Sequence, residues 1–225
     1  MELTLLWAAL TAFVAAYLTL RLRPPDVPNR PLDRLIGAAV VGMFTGRLAA
    51  VLAAGINPIT NPGQLLLIRG GVDTTWASMA GFATLAWPLR RNPRAVDNLA
   101  PAALAALGGW HTGCVWRSTC LGTAADLPWA WALPGSDVTR HPVELYAAIG
   151  FVAGAFFLAR LSLPKGALTG LAITWAALTR LLTEPMRPSI GGGPIAFYIT
   201  ATVVGVVVAA WSRNLPSWIK PSNSR

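Results

Sequence analysis

A chain of 225 residues that is 54% hydrophobic, 12% charged and +0.53 in mean hydropathy is not an ordinary soluble domain, whose charged fraction is roughly twice as high. The net charge of +9 does not read as a nucleic-acid surface either, because the arginines are scattered between hydrophobic segments and form no continuous stripe. Two cysteines do not make a disulfide framework or a four-ligand zinc site.

Apolar runs recur at lengths suited to crossing a bilayer as helices, about 17 to 25 residues. Taken in order they are Leu3–Leu20, Leu35–Gly55, Thr75–Leu89, Val96–Trp110, Val143–Leu161, Ala167–Leu182 and Ile195–Trp211. The first has no basic stretch ahead of it and no small-residue cleavage site, so it is expected to be a retained helix. The third, preceded by the glycine-broken Leu65–Gly71, and the fourth are the shortest and most interrupted. The expectation is an all-α, polytopic membrane protein with about seven transmembrane helices. No internal repeat or low-complexity linker divides residues 1–225, so a single domain is expected.

The loop charges alternate. Arg21, Arg23, Arg30 and Arg34 follow the first segment, Arg90, Arg91 and Arg94 the third, and Arg160 and Lys165 the fifth; Arg213, Lys220 and Arg225 lie in the tail. The positive-inside bias then places the N-terminus outside and the C-terminus in the cytoplasm. The long loop Thr112–Thr139 falls on the outer face, and its Asp126–Trp131 stretch is apolar and aromatic enough to lie in the interface. Ten tryptophans, among them Trp7, Trp87, Trp129, Trp211 and Trp218, suit interfacial anchoring.

Ionisable residues inside apolar helices are costly and mark functional candidates. Arg47 stands mid-segment, next to Gly42 and Gly46, which would let a second helix approach closely. Arg180 and Glu184 are four apart and share a helix face, with Arg187 one turn on, beyond a bend or stop at Pro185. Arginines converging on one cavity suit a phosphate-bearing substrate. A third polar cluster, Arg140-His141-Pro142-Val143-Glu144-Leu145-Tyr146, opens the uncharged run Ala147–Leu158 at a helix start. The competing structural readings are an ion pair for Arg180 and Glu184, snorkelling for Arg47 and Arg187, and helix capping for the two histidines, His111 and His141.

Together these features resemble the prolipoprotein diacylglyceryl transferases of bacteria. Gly46-Arg47-Leu48 resembles that family's glycine–arginine motif, and Gly70-Gly71 the start of its Gly-Gly loop. Gly122, Leu127, Pro128 and Trp129 resemble the end of its long signature. Arg140-His141-Pro142-x-Glu144-Leu145-Tyr146 is similar to its Arg-His-Pro-x-x-Leu-Tyr motif, the most specific match. Gly166–Gly170 with Arg180, Glu184 and Arg187 resembles its penultimate helix. The resemblance implies a seven-helix enzyme of the bacterial inner membrane that moves the diacylglyceryl group of phosphatidylglycerol onto the thiol of a lipobox cysteine in a preprolipoprotein signal peptide. The product is a thioether and glycerol 1-phosphate is released, with no metal or organic cofactor implied.

On this basis the candidate catalytic residues are Arg180, His111 and His141, and the candidate substrate-binding residues Arg47, Arg140, Glu144, Tyr146, Glu184, Arg187, Gly70 and Gly71. The chain also departs from the family. Thr75 or Trp76 falls where the Gly-Gly loop carries a histidine, His111 and Cys114 replace an arginine and an asparagine, Thr119 replaces a glutamate, and Ala176 a tyrosine. His111 therefore becomes the candidate for a displaced base or anion ligand. The alternative function is a non-catalytic lipid- or signal-peptide-binding membrane protein on the same scaffold. A transporter ranks last, for lack of inverted repeats.

Overall fold

The computed structural model describes residues 2–22, 30–66, 71–87, 93–113, 121–164, 166–188 and 192–213. Eight helices lie among them: α1 (Glu2–Leu22), α2 (Pro31–Ala53), α3 (Gly63–Leu66), α4 (Thr74–Ala86), α5 (Pro93–Thr112), α6 (Val143–Leu158), α7 (Ala167–Thr183) and α8 (Ile195–Arg213). A two-stranded antiparallel ribbon, β1 (Trp131–Ala132) with β2 (Thr139–Arg140), interrupts the loop before α6. The protein is mainly helical, as its composition requires. Each of the seven apolar segments holds one long helix, and α3 is an additional single turn.

Hydropathy alone misjudged two lengths. The third segment yields only the 13-residue α4, about 20 Å at 1.5 Å per residue and short of a bilayer core. The fourth yields a 20-residue α5 that begins earlier, at Pro93, and continues through Pro101. That proline removes one backbone bond to the Asp97 carbonyl. Its ring is fully buried, and packing compensates for the missing bond. By length and composition, α2 and α8 are long and apolar enough to cross a membrane.

Helix directions follow from the contacts. Thr11 of α1 donates its hydroxyl to the Gly109 carbonyl of α5 at 2.6 Å, while Leu20, at the other end of α1, packs with Ala95, Val96 and Leu99. The two helices are thus antiparallel. Between α6 and α7, Gly150 faces Thr179 and Gly154 faces the Trp175 ring, whose indole N–H donates to the Gly150 carbonyl at 2.7 Å. Between α7 and α8, Gly170 and Gly205 face one another's backbones. Small residues bring these helix pairs close enough for backbone contact. The core they surround contains Leu104, Phe151, Leu158, Leu168 and a layer of alanines.

The pair α2–α4 forms a second unit. Gly42 and Gly46 of α2 have no space for a side chain against Ala77 and Gly81 of α4 and the Val72–Asp73 segment before it. The Asp73 N–H donates to the Gly46 carbonyl at 3.0 Å. Sequence reasoning placed small residues beside Arg47 for close helix approach, and the approach occurs there. This unit meets the rest mainly through Leu32, Leu35 and Leu85, which pack on the Leu20–Leu99 cluster. Arg21, Arg30, Arg34, Arg94 and Arg160 consequently sit at one end of the bundle, where α1 and α6 end and α2 and α5 begin. The N-terminus of α1 lies at the opposite end, together with the polar residues described next.

Candidate active site

Five charged or titratable side chains meet where α5 ends, α6 begins and α7 ends. Glu144, in the first turn of α6, and Glu184, just past α7, are buried at 6% and 3% exposure, and Arg180 of α7 at 9%. The i, i+4 spacing brings Arg180 Nη2 to 3.3 Å from Glu184 Oε2. The helix then tightens into a 3-10 turn, Glu184–Met186, with Pro185 in its first turn. That turn points Arg187 back, with Nη1 at 3.5 Å from Glu184 Oε2 and Nη2 at 3.0 Å from Glu144 Oε1. Glu144 Oε2 is paired with His111 Nδ1 of α5 and lies 3.9 Å from Arg180 Nη1.

Geometry here adds partners that sequence reasoning missed. The Arg180 Nε–H donates to the Tyr198 hydroxyl of α8 at 3.4 Å, and its guanidinium lies over the Tyr198 ring, 5.8 Å from the centroid. Tyr198 is one of three tyrosines, and a polar group in an otherwise apolar helix was the available signal. Gly193 adopts φ +71° and has no room for a Cβ because it packs against the Glu184 carboxyl; the left-handed φ and the close contact both require glycine. Phe151 stacks on the His111 ring at 5.2 Å.

The cluster holds two carboxylates against two guanidiniums, so the protonation of His111 decides whether its formal charge is zero or +1. Arg180 Nη1 is buried and, among the described residues, donates no hydrogen bond. An unused donor of this kind, next to a carboxylate 3.9 Å away, is ready for an incoming acceptor. Arginine's fork of donors matches a phosphate's oxygens in pairs.

The other sequence candidates fall into two separate groups. Arg140, in β2, donates Nη1–H to the Gly122 carbonyl at 3.3 Å and keeps a buried Nε without an acceptor. The His141 backbone exchanges bonds with Gly122 and Thr123, and its ring lies edge-on to Tyr146. The Tyr146 hydroxyl accepts the Trp129 indole N–H at 2.8 Å. This group ties the segment before α6 to the site, since Thr123 N–H also donates to the Met186 carbonyl at 2.8 Å. Pro142 is the N-cap of α6 and not a residue of its first turn.

Arg47 belongs to the α2–α4 unit. It is 5% exposed, donating Nε–H to the Gln64 carbonyl at 3.0 Å and Nη1–H to the Gly71 carbonyl at 2.9 Å. Gly71 has φ +82°; Gly70 lies outside the described residues, as do Cys114, Thr119 and Cys120. Thr75 and Trp76 both sit in the first turn of α4, which Asp73 caps through the Trp76 N–H. Among the described residues, no group of three His, Cys, Asp or Glu is placed to hold a metal ion.

The described residues form an apolar, mainly helical bundle with a buried arginine–glutamate–histidine cluster at one end, and two of its helices are long and apolar enough to cross a membrane. Residues 3–214 match the family described as prolipoprotein diacylglyceryl transferase, and the chain belongs to that family. It is 29% identical over 171 residues to a phosphatidylglycerol–prolipoprotein diacylglyceryl transferase of Wolbachia sp. subsp. Drosophila simulans, covering 69% of this chain and 65% of that protein. It is 27% identical over 163 residues to one from Vibrio cholerae (64% and 59% covered) and 28% identical over 139 residues to one from Chlamydia trachomatis (56% and 51%). The chain thus spans less than two thirds of the length of these relatives.

Proposed function

We propose that this protein is a diacylglyceryl transferase of lipoprotein maturation. It takes the diacylglyceryl group of phosphatidylglycerol and attaches it to the thiol of a lipobox cysteine. In this reading the chain is a single multi-pass domain of the bacterial inner membrane with seven spans, N-terminus outside and C-terminus cytoplasmic. Two features support the orientation: the loop arginines gather at one end of the bundle, and the polar cluster occupies the other, where precursors emerge.

The observation that carries the proposal is the buried Arg180, with one guanidinium nitrogen lacking an acceptor, between two carboxylates that also hold Arg187. The lipid phosphodiester is the acceptor this arrangement lacks. The thiol loses its proton, and sulfur forms a bond to the terminal glyceryl carbon. The C–O bond to phosphate breaks, with its electron pair passing to the leaving oxygen. The proton ends on the released glycerol phosphate, so atoms and charge balance without a cofactor. Arg180 and Arg187 offset the charge that develops on the phosphate. Glu144 and Glu184 cannot bind phosphate themselves and serve to aim the arginines. Arg47 is occupied by two carbonyls, and its role is to shape the loop ending at Gly71.

A second reading, a non-catalytic lipid- or signal-peptide-binding protein, is favoured by one observation: both site arginines are already paired with glutamates. Complementation separates the two. In a bacterium depleted of its own transferase, the wild-type chain is expected to restore growth and lipid-modified lipoproteins, and Arg180→Ala is expected not to. Membrane-inserted wild-type protein that leaves precursors unmodified would refute the transferase reading.

A further inference from the structure

We infer that Glu144 is the positioning residue of a histidine–carboxylate dyad, holding His111 by Nδ1 so that Nε2 is the atom that takes the proton of the acceptor thiol. This rests on the transferase reading and deepens it. A carboxylate only accepts hydrogen bonds, so the nitrogen paired with Glu144 must carry the hydrogen, and in the neutral ring the lone pair then belongs to Nε2. Among the described residues, Nε2 makes no hydrogen bond.

Both partners are fixed. Glu144 Oε1 is held by Arg187 at 3.0 Å, leaving Oε2 for the imidazole. The ring stacks on Phe151 at an interplanar angle of 19°, and Phe151 is itself 1% exposed. The described charged groups around the pair are Glu144 of α6, Arg180 of α7, and Glu184 and Arg187 beyond α7. His141 offers the contrast: among the described residues it has no carboxylate partner, and its buried Nδ1 has no hydrogen-bond partner. Of the two imidazoles, only His111 has the orientation a proton acceptor needs.

In the step assigned to the dyad, the S–H bond breaks and the proton moves to His111 Nε2. The C–S bond forms as the C–O bond to phosphate breaks, and Nε2–H then passes its proton to the departing phosphate oxygen or to water. His111 thus returns to its starting tautomer, with Glu144 unprotonated throughout.

Two measurements test the inference. Protein labelled with 15N-histidine contains two imidazoles, and His111→Asn assigns them. The expected spectrum has His111 protonated at Nδ1, shifting to a tautomer mixture in Glu144→Gln; Nε2-protonated His111 in the wild type would overturn the dyad. In a reconstituted transfer assay, Glu144→Gln is expected to lower kcat about 100-fold, the scale of general-base catalysis, with a small change in lipid KM. In a His111→Ala background the same substitution should cost less than about 3-fold, because coupled groups act as a unit. Additive losses would overturn the dyad and leave the transferase standing. A folded wild type that forms no thioether would overturn the transferase reading and, with it, the proton-acceptor role.

Discussion

Arg180 and Arg47 are buried to similar degrees, at 9% and 5% exposure, on two apolar helices, and their surroundings differ in kind. Arg180 sits among carboxylates contributed by α6 and the end of α7, with tyrosine from α8 and histidine from α5 completing the group. Arg47 is satisfied by main-chain carbonyls at either side of the loop between α3 and α4. The first arrangement is a balance between side-chain charges, in which the proposed transfer reaction would have a phosphate take a glutamate's place as partner. The second is a clamp, in which the guanidinium holds the Gln64 carbonyl of the single-turn α3 and the Gly71 carbonyl ahead of α4. Burial of an arginine therefore does not by itself identify a site; the identity of its partners does.

The comparison can be broken most severely at Arg180. Arg180→Ala leaves Glu184 and Glu144 buried with fewer counter-charges, a loss of about 3–5 kcal/mol by the behaviour of broken buried pairs. It is also expected to reduce transfer by at least about 100-fold, the scale for removing a group that stabilises developing charge. Thermal unfolding in detergent reads the first effect and thioether formation the second. Replacing both members, Arg180→Met with Glu184→Leu, should recover most of the melting temperature while transfer stays absent. If the double replacement restored transfer, the anion-binding role of Arg180 would be wrong.

A steric change in the other unit comes next. Gly46→Leu has nowhere to place its side chain against Val72, Asp73 and Ala77, and overpacking of this kind costs about 1–3 kcal/mol. Because α2–α4 meets the remaining helices over a small area, amide exchange should rise across residues 74–86 and stay unchanged in α6 and α7. Faster exchange in both regions alike would show that the two are one cooperative unit.

Arg47→Met has a more local expected effect, about 1–3 kcal/mol for loss of charged hydrogen bonds, confined to faster exchange around residues 71–73. Arg47→Lys should recover part of the protection, since an ammonium lacks the guanidinium's fork of donors. The smallest effect is expected at Asp97, which accepts from the Gly166 and Thr169 N–H groups and the Thr169 hydroxyl at the start of α7. Asp97→Ala removes an N-cap supplied by a neighbouring helix, worth about 0.5–2 kcal/mol, and should lower the melting temperature less than either arginine change.

Hydropathy and loop charge made the long helices legible, because segment length and arginine placement respond to the same bilayer constraint. The lengths of α4 and α5 were not legible. Pro101 reads as an interruption until tertiary packing is known to bury its ring. The Arg180–Glu184 pair was readable from its spacing of four. The Glu144–His111 contact was not, since it joins residues separated by 33 positions in the chain. Asp97 carried the signal of an acid inside an apolar segment, the rule that selected Arg47 and Arg180, and was overlooked because it stands near a helix end. Residue type alone did not say whether Arg47 and Arg180 share a cavity; glycine packing commits Arg47 to the α2–α4 unit.

The most direct test of the central claim is mass spectrometry of a lipobox peptide incubated with the purified protein in vesicles containing phosphatidylglycerol. The account predicts a diacylglyceryl adduct on the cysteine, released glycerol phosphate in equal amount, and neither product with Arg180→Ala. An unmodified peptide, in the presence of folded wild-type protein, would contradict it.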